Sequence, residues 1–141
     1  MKWGFLSLSV ALTVLGLAGC AATQSEPTAM STRPDNMQVA KRAAERWQFL
    51  LAGKLDDAYS FLSPGKRSLL PLDQYRGEIK TGMWRNAKVE SVDCVASDIC
   101  KVTVLVSYEY RGKLKEPIEN TRPLNEIWRY QHGDWWFVQT E

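Results

Sequence analysis

The fold that this sequence predicts depends most on residues 124–140, LNEIWRYQHGDWWFVQT. Two runs rich in aromatic and β-branched residues flank the turn signal HGD, as in a β-hairpin. A two-residue turn at His132 and Gly133 sets the register. The resulting cross-strand pairs are Tyr130 with Trp135 and Trp128 with Phe137. Shifting the turn by one residue leaves the same side chains on the same face, so this stretch predicts an aromatic sheet face.

Two further runs upstream alternate in the same way, residues 87–95 and 101–111. On the second run a common face is formed by Val102, Val104, Val106, Tyr108 and Tyr110. Pro117 and Pro123 make the segment between them a sheet edge or a loop, because proline cannot donate to a strand ladder. The pattern predicts an antiparallel sheet of about four strands.

Helical periodicity comes before the strands. Residues 36–52 place an apolar stripe on one side and the charged Lys41, Arg42, Glu45 and Arg46 mostly off it. Gly53 follows where a left-handed helix cap belongs. Shorter helices are predicted at 56–62, from the Ser63-Pro64 start through Leu70, and at 73–81 closed by Gly82. Helices followed by strands predict an α+β fold, with the N-terminal helices packed on one face of the sheet.

Two stretches resemble the nuclear transport factor 2-like superfamily. They are residues 53–59, GKLDDAY, after the first helix, and residues 128–136, WRYQHGDWW, at the closing hairpin. The resemblance implies three helices covering a strongly curved antiparallel sheet to form a cone. It also implies that an enzyme of this kind would hold its acid or base inside that cone.

The first residues predict an export signal. Lys2 is followed by an apolar run at 5–17, which at 13 residues is shorter than the roughly 20 needed to span a bilayer. Leu17-Ala18-Gly19-Cys20 resembles the lipobox of bacterial lipoproteins. The resemblance implies cleavage before Cys20 and acyl chains on that cysteine; the alternative is an ordinary secretory signal with a chance cysteine.

The domain organisation follows from this signal. We expect a signal peptide at 1–19, the lipidated Cys20 and a flexible polar tether over 20–35, and one α+β domain at 36–141. Ala21, where an aspartate would suggest inner-membrane retention, favours an outer-membrane anchor facing the periplasm.

Composition narrows the partners. The chain has 141 residues and a formal net charge of +2, which gives no general attraction to nucleic acid. The sole histidine, His132, is expected in an exposed turn. With the two cysteines left after lipidation it does not supply the four ligands of a structural zinc site, so we predict no metal and no cofactor.

Cys94 and Cys100 form an even pair in an exported domain, where disulfides persist. A three-residue turn at Ala96-Ser97-Asp98 places them opposite each other. The same register sets Val92 opposite Val102 on the buried face. The sequence therefore predicts a Cys94–Cys100 disulfide that fixes the hairpin.

The candidate pocket residues are expected to face the space between the helices and the sheet: Tyr59, Tyr75, Tyr108, Glu126 and Trp128. If Glu126 is buried near aromatic rings, its pKa would rise and it could act as a general base, with a tyrosine as electrophile, in an isomerase or dehydratase. In the other interpretation, Glu126 lies at the end of the sheet opposite Gln139 and is solvated.

The opposite face predicts a different role. An apolar patch is expected there from Leu105, Ile127, Trp136 and Val138, unless residues 112–123 cover it; exposed patches often mark partner surfaces. The leading hypothesis is a non-catalytic envelope lipoprotein that docks a protein partner or a second copy through this face, or holds a small apolar ligand in the cone. The enzyme with a carboxylate in the cone is the alternative.

Overall fold

The computed structural model describes residues 34–110 and 116–140. The predicted signal peptide, Cys20 and most of the tether lie outside the described residues. In chain order the elements are α1 (Pro34–Leu51), α2 (Leu55–Ser60), α3 (Pro64–Leu69), α4 (Leu72–Glu78), a 3₁₀ turn (Thr81–Met83), β1 (Trp84–Ala96), β2 (Ile99–Tyr110), β3 (Ile118–Gln131) and β4 (Asp134–Thr140). The helices pack against one antiparallel sheet of order β1-β2-β3-β4, which confirms the predicted α+β class.

Helix α1 ends as its sequence predicts. Gly53 adopts a φ of +70°, a conformation that costs a glycine little. The N–H of Lys54 bonds back to the Phe49 carbonyl at 2.9 Å, and this satisfies one of the free carbonyls of the last turn. Among the described residues no helix is long and apolar enough to cross a membrane.

The short helices follow the predicted order, with one difference. At α3, the Ser63 hydroxyl accepts the N–H of Lys66 at 3.2 Å and Pro64 occupies the first turn. Helix α4 ends at Glu78, short of the predicted residue 81, so Gly82 does not close it. The reason is Ile79, which turns extended (ψ 119°) and packs against the core.

The two tight hairpins confirm the predicted registers. His132 and Gly133 both have positive φ, 54° and 84°, as a two-residue type I′ turn requires. The observed pairs are Tyr130 with Trp135, Trp128 with Phe137, Val92 with Val102 and Cys94 with Cys100. Cys94 and Cys100 are bonded as a disulfide. The predicted three-residue turn at Ala96-Ser97-Asp98 is wrong. An irregularity after Cys94 brings Ala96 opposite Ile99, so the first hairpin turns at Ser97-Asp98.

Strand β3 is longer than its apolar pattern predicts. It begins at Ile118 and continues through Pro123, which lies opposite Leu105. The last residue of β3 that pairs with β4 on this side is Glu126, so residues 118–125 form a sheet edge. Proline is tolerated at such an edge, since no neighbouring strand needs its missing N–H.

The core lies between the helices and one side of the sheet, called here the inner face. Its fully buried members include Val39, Leu50, Leu62, Val102, Val104, Trp128 and Trp135. The buried character of this face fades along β2: Val106 is buried, Tyr108 is half-buried, and Tyr110 is 58% exposed. Tyr110 therefore does not join the core, although it shares the alternation that places its neighbours there.

The edge of β4 that points away from β3 is covered by the chain between α2 and α3. The Phe137 N–H donates to the Phe61 carbonyl at 2.9 Å, and the Ser63 N–H donates to the Phe137 carbonyl at 3.0 Å. Leu62 thereby pairs with Phe137 as a short parallel bridge. This bridge holds the start of α3 against the end of β4, which positions the site described next.

Candidate functional site

A buried carboxylate lies at the centre of the inner face. Glu126 has no exposed surface. Its Oε1 accepts from Arg46 Nη1 at 2.7 Å and from Trp47 Nε1 at 2.8 Å, while Oε2 accepts from Trp128 Nε1 at 2.9 Å. The interpretation of a solvated Glu126 opposite Gln139 is wrong. A bulge in β4 places Glu126 opposite Thr140, and α1 covers the carboxylate.

Arg46 is the partner that the sequence reading missed. It was expected mostly off the apolar stripe, but it is only 5% exposed and its guanidinium lies 3.8 Å from the centroid of the Phe137 ring. The sequence spacing places Arg46 on the apolar stripe of α1. It lies seven residues after Val39 and four before Leu50, the helical spacing of the stripe itself. A charged residue at a core position points to a buried counter-charge.

The predicted pocket tyrosines are not gathered around Glu126. Tyr59 donates its hydroxyl to the Leu70 carbonyl at 2.8 Å and so fastens the end of α3. Tyr108 is half-buried and lies on β2 six residues from Val102, the partner of Glu126, or about 20 Å along the strand. Tyr75 is buried beside Arg46, and its hydroxyl has no hydrogen-bond partner among the described residues.

Burial raises the pKa of Tyr75 above its ordinary value. Loss of solvent is the largest cause; the nearby Arg46 guanidinium opposes it and the Glu126 carboxylate adds to it. A tyrosine in this setting keeps its proton at neutral pH. Glu126, with both oxygens engaged by three donors, is held as the acceptor of a structural network. The arrangement stabilises the packing of α1 on β3.

The four predicted surface residues all lie on the opposite side of the sheet, called here the outer face. Each of Leu105, Ile127, Trp136 and Val138 is half-buried. Residues 118–123 continue β3 and do not fold over Trp136. Instead, the guanidinium groups of Arg42 and Arg67 each lie 5.4 Å from the centroid of the Trp136 ring.

Trp136 is also fixed at its polar edge. Its Nε1 donates to the Gln131 carbonyl at 2.9 Å. Arg42 in turn binds Asp134 at 3.0 Å and donates to the Trp135 carbonyl at 2.6 Å, which ties α1 to the closing hairpin. Trp136 is therefore a positioned, partly covered ring between arginines.

A groove of about 480 Å³ opens beside this ring, between α3 and the outer face of β3 and β4. It is lined by Ser63, Gly65, Lys66, Leu69, Leu70, Arg129, Gln131, Val138 and Gln139. The charged residues of this lining, Lys66 and Arg129, are both basic. Leu69 is 85% exposed, a large apolar side chain left facing water.

Lys66 is the most constrained cation of the groove. Its Nζ donates to the Val138 carbonyl at 2.8 Å and lies 5.3 Å from the centroid of the Phe137 ring. Partial burial, and then repulsion from Arg46, lower the pKa of Lys66, while Glu78 opposes the shift. The charged form of Lys66 is therefore less favoured than it would be in water.

A second recess of about 400 Å³ lies between α1 and the closing hairpin. Lys41, Arg42, Glu45 and Asp134 line it, and their opposite charges largely neutralise one another. In residues 34–110 and 116–140 no cluster of three or more histidine, cysteine, aspartate or glutamate side chains is arranged to hold a metal ion.

Comparison with known proteins supports the fold. No family model matches the chain, and no curated protein matches it. Several solved structures are similar to the chain, among them the following two. One is a SEC-C motif containing protein from Rhodopseudomonas palustris, with a TM-score of 0.56, 16% identity, and coverage of 71% of this chain and 74% of that one. The other is the CamKII hub homology domain of Chlamydamonas reinhardtii, with a TM-score of 0.52, 14% identity, and coverage of 74% of this chain and 93% of that one.

The hub domain has a nuclear transport factor 2-like fold. The predicted α+β fold, with helices packed on a four-stranded antiparallel sheet, is therefore confirmed, and the similar structures are consistent with a nuclear transport factor 2-like fold. At these identities the likeness concerns the fold alone.

Proposed function

We propose that this protein is a membrane-anchored envelope lipoprotein whose domain is a non-catalytic binding module. The ligand or partner docks on the outer face of the sheet, at the groove between α3 and strands β3 and β4. The anchor is acyl chains on Cys20, and residues 20–35 connect it to the domain. The proposed location is the outer membrane, facing the periplasm.

The anchoring part of the proposal is supported by the sequence. A basic start, a 13-residue apolar run at 5–17 and the box Leu17-Ala18-Gly19-Cys20 occur in the order that export and lipidation need. More than one acyl chain would be required for stable attachment, at about 0.8 kcal/mol for each buried CH₂.

One observation supports a binding role above a catalytic one. Inside the cone, Glu126 is the only acidic side chain among the buried residues described, and three hydrogen-bond donors already occupy it. A general base needs to reach a proton on a substrate. The groove on the outer face, in contrast, presents polar and apolar side chains to solvent.

The anchor is tested by replacing Cys20→Ala in the full chain and following its membrane fraction and the mass of its first peptide. We expect the parent protein in membranes with an acylated N-terminal cysteine, and the variant without acylation and released from membranes. The matched control is the double variant Cys94→Ala with Cys100→Ala, which changes two cysteines and should stay acylated. Acylation absent from the parent would overturn the anchor.

The binding role is tested by native mass spectrometry of protein extracted gently from its own membranes. We expect an added mass on the parent protein that is lost in Val138→Arg, which fills the groove. Ser91→Arg places the same charge on an exposed position of β1 and should keep the added mass. A bound mass that survives Val138→Arg would place the ligand elsewhere and contradict the proposed site.

A further inference from the structure

We infer that the groove between α3 and the outer face binds an amphiphilic carboxylate: an anionic head group joined to an unbranched apolar chain. The head would lie against Lys66 and Arg129, and the chain along Leu69, Leu70 and Val138. This inference rests on the proposed function, since it names the ligand class of the same site.

The charges of the groove select an anion. Both charged residues of its lining, Lys66 and Arg129, are basic. Arg129 pairs with the carboxylate of Asp98 at 4.0 Å, between two side chains that are each about half exposed. Such a loose surface pair contributes little, so Arg129 can exchange it for a ligand at small cost.

Lys66 is the groove cation whose charged form is disfavoured by partial burial. It is partly removed from water and repelled by Arg46, and its described hydrogen bond, to the Val138 carbonyl, uses one of its three N–H groups. Glu78 acts on it only as the smallest of three electrostatic causes. A carboxylate head group would supply the missing charge and accept a further N–H.

The remaining lining selects an apolar chain. Leu69 exposes 85% of its surface at the rim although hydrophobic side chains of its size are usually covered. Leu70 and Val138 continue the apolar strip into the groove, and Trp136 lies beside it. The volume of about 480 Å³ is within the range of roughly 300–1,000 Å³ typical of small-molecule sites.

The test uses the chain 21–141, which contains every residue of the core, from Val39 to Phe137. Sodium decanoate is titrated below its micelle concentration, and binding is followed by backbone amide shifts and calorimetry. Decanamide has the same chain with a neutral head, and acetate has the head without the chain. We expect saturable shifts at the groove with decanoate, and binding weaker by about tenfold or more with either comparison compound.

Variants locate the head group. Lys66→Gln and Arg129→Gln should each weaken decanoate binding by about tenfold, the effect of losing one charged hydrogen bond. Lys88→Gln, which removes an exposed lysine elsewhere on the outer face, should leave it unchanged. Lys66→Arg, which keeps the charge, should retain most of the affinity; if Lys66→Gln unfolds, Lys66→Arg and Arg129→Gln still decide the result.

Each alternative result of the binding experiments would have a distinct meaning. Equal binding of decanamide would show an apolar site without a head-group preference, and equal binding of acetate would show an anion site without a chain. Saturable binding of hexaglutamate without decanoate would point to an acidic protein segment instead. Any of these results would overturn the proposal that the ligand is an amphiphilic carboxylate. The proposed binding role of the domain would still be supported if the added mass in native mass spectrometry is lost in Val138→Arg.

Discussion

Strand β4 presents two tryptophans side by side, and their surroundings are opposite. Trp135 points to the inner face and is 1% exposed, while Trp136 points to the outer face and lies half-covered between two arginines. On the inner side, Glu126 receives three donors and Arg46 is packed on an aromatic ring. On the outer side, Lys66 and Arg129 line an open groove, and the Lys66 Nζ also lies 5.3 Å from the centroid of the inner-face Phe137 ring.

The contrast shows which polar groups of this fold a ligand could bind. On the inner face, Glu126 and its three donors are engaged with one another, and this fixes α1 on the sheet. Polar groups of the outer groove are only partly engaged, so a ligand can still gain by binding them. Substitutions on the inner face should therefore change stability, whereas substitutions in the groove should change binding.

The largest effect is expected from Glu126→Ala. It leaves Arg46 as an unpaired buried charge, and two indole N–H groups lose their acceptor, so the free energy of unfolding should fall by about 3–5 kcal/mol. Urea unfolding followed by circular dichroism measures the loss. Glu45→Ala is the matched control. Its exposed pair with Lys41 at 3.9 Å should be worth less than about 0.5 kcal/mol.

A loss below about 1 kcal/mol for Glu126→Ala would contradict the inner network, because it would mean that water reaches Arg46 after the change. The free energy change of the double variant Arg46→Met with Glu126→Ala should then be compared with the sum of the single changes. A network in direct contact predicts strong non-additivity between them.

The second comparison uses two leucines. Leu50→Ala removes a side chain that is 1% exposed in the core and should cost about 2–5 kcal/mol. Leu69→Ala removes one that is 85% exposed at the groove and should change the free energy of unfolding by no more than about 0.5 kcal/mol. Thermal and urea unfolding check both. A Leu69→Ala variant as unstable as Leu50→Ala would show that the rim of the groove belongs to the core.

A smaller change in the free energy of unfolding is expected from removing the disulfide between β1 and β2. Replacing Cys94 and Cys100 together by alanine should lower the free energy of unfolding by about 2 kcal/mol, since the disulfide closes a short loop. The hairpin register should persist, because Val92 and Val102 still pair on the inner face. Amide hydrogen exchange in β1 and β2 measures both effects. Wild-type protein without added reductant serves as the reference.

The sequence predicted the hairpins well because two independent signals agreed at each. At residues 132 and 133, positive φ angles suit glycine and a turn, and the alternation of aromatic residues set the same register. At Cys94 and Cys100, the cysteine pair and the valine pair gave the same register. Local chemistry of this kind is readable from spacing alone.

The candidate sites were less predictable because they depend on which elements meet. The contact of Arg46 with Glu126 joins residues 80 positions apart, and the bulge at Val138 that changes the partner of Glu126 has no local signature. The groove needs α3 to lie beside the outer face. That placement comes from the Leu62–Phe137 bridge, which pattern reading does not show.

The smallest expected effect is a difference in how the stability contributions of Lys66, at the groove, and Tyr75, on the inner face, change with pH. Folding lowers the pKa of Lys66 from its ordinary 10.5, so its charged form opposes folding at neutral pH, and this cost disappears as the pH rises through the folded pKa toward 10.5. Folding raises the pKa of Tyr75 from 10.0, so the stabilisation it gives is present below pH 10 and is lost as the pH rises through the folded pKa. Relative to wild type, Tyr75→Phe should therefore lose less stability above pH 10. Lys66→Met should lack the rise in stability that wild type gains as the pH approaches 10.5. Urea midpoints measured from pH 7 to 11 test both.

Parallel curves for Tyr75→Phe and wild type would mean that water already reaches the Tyr75 hydroxyl, and that the inner face is not sealed at α4.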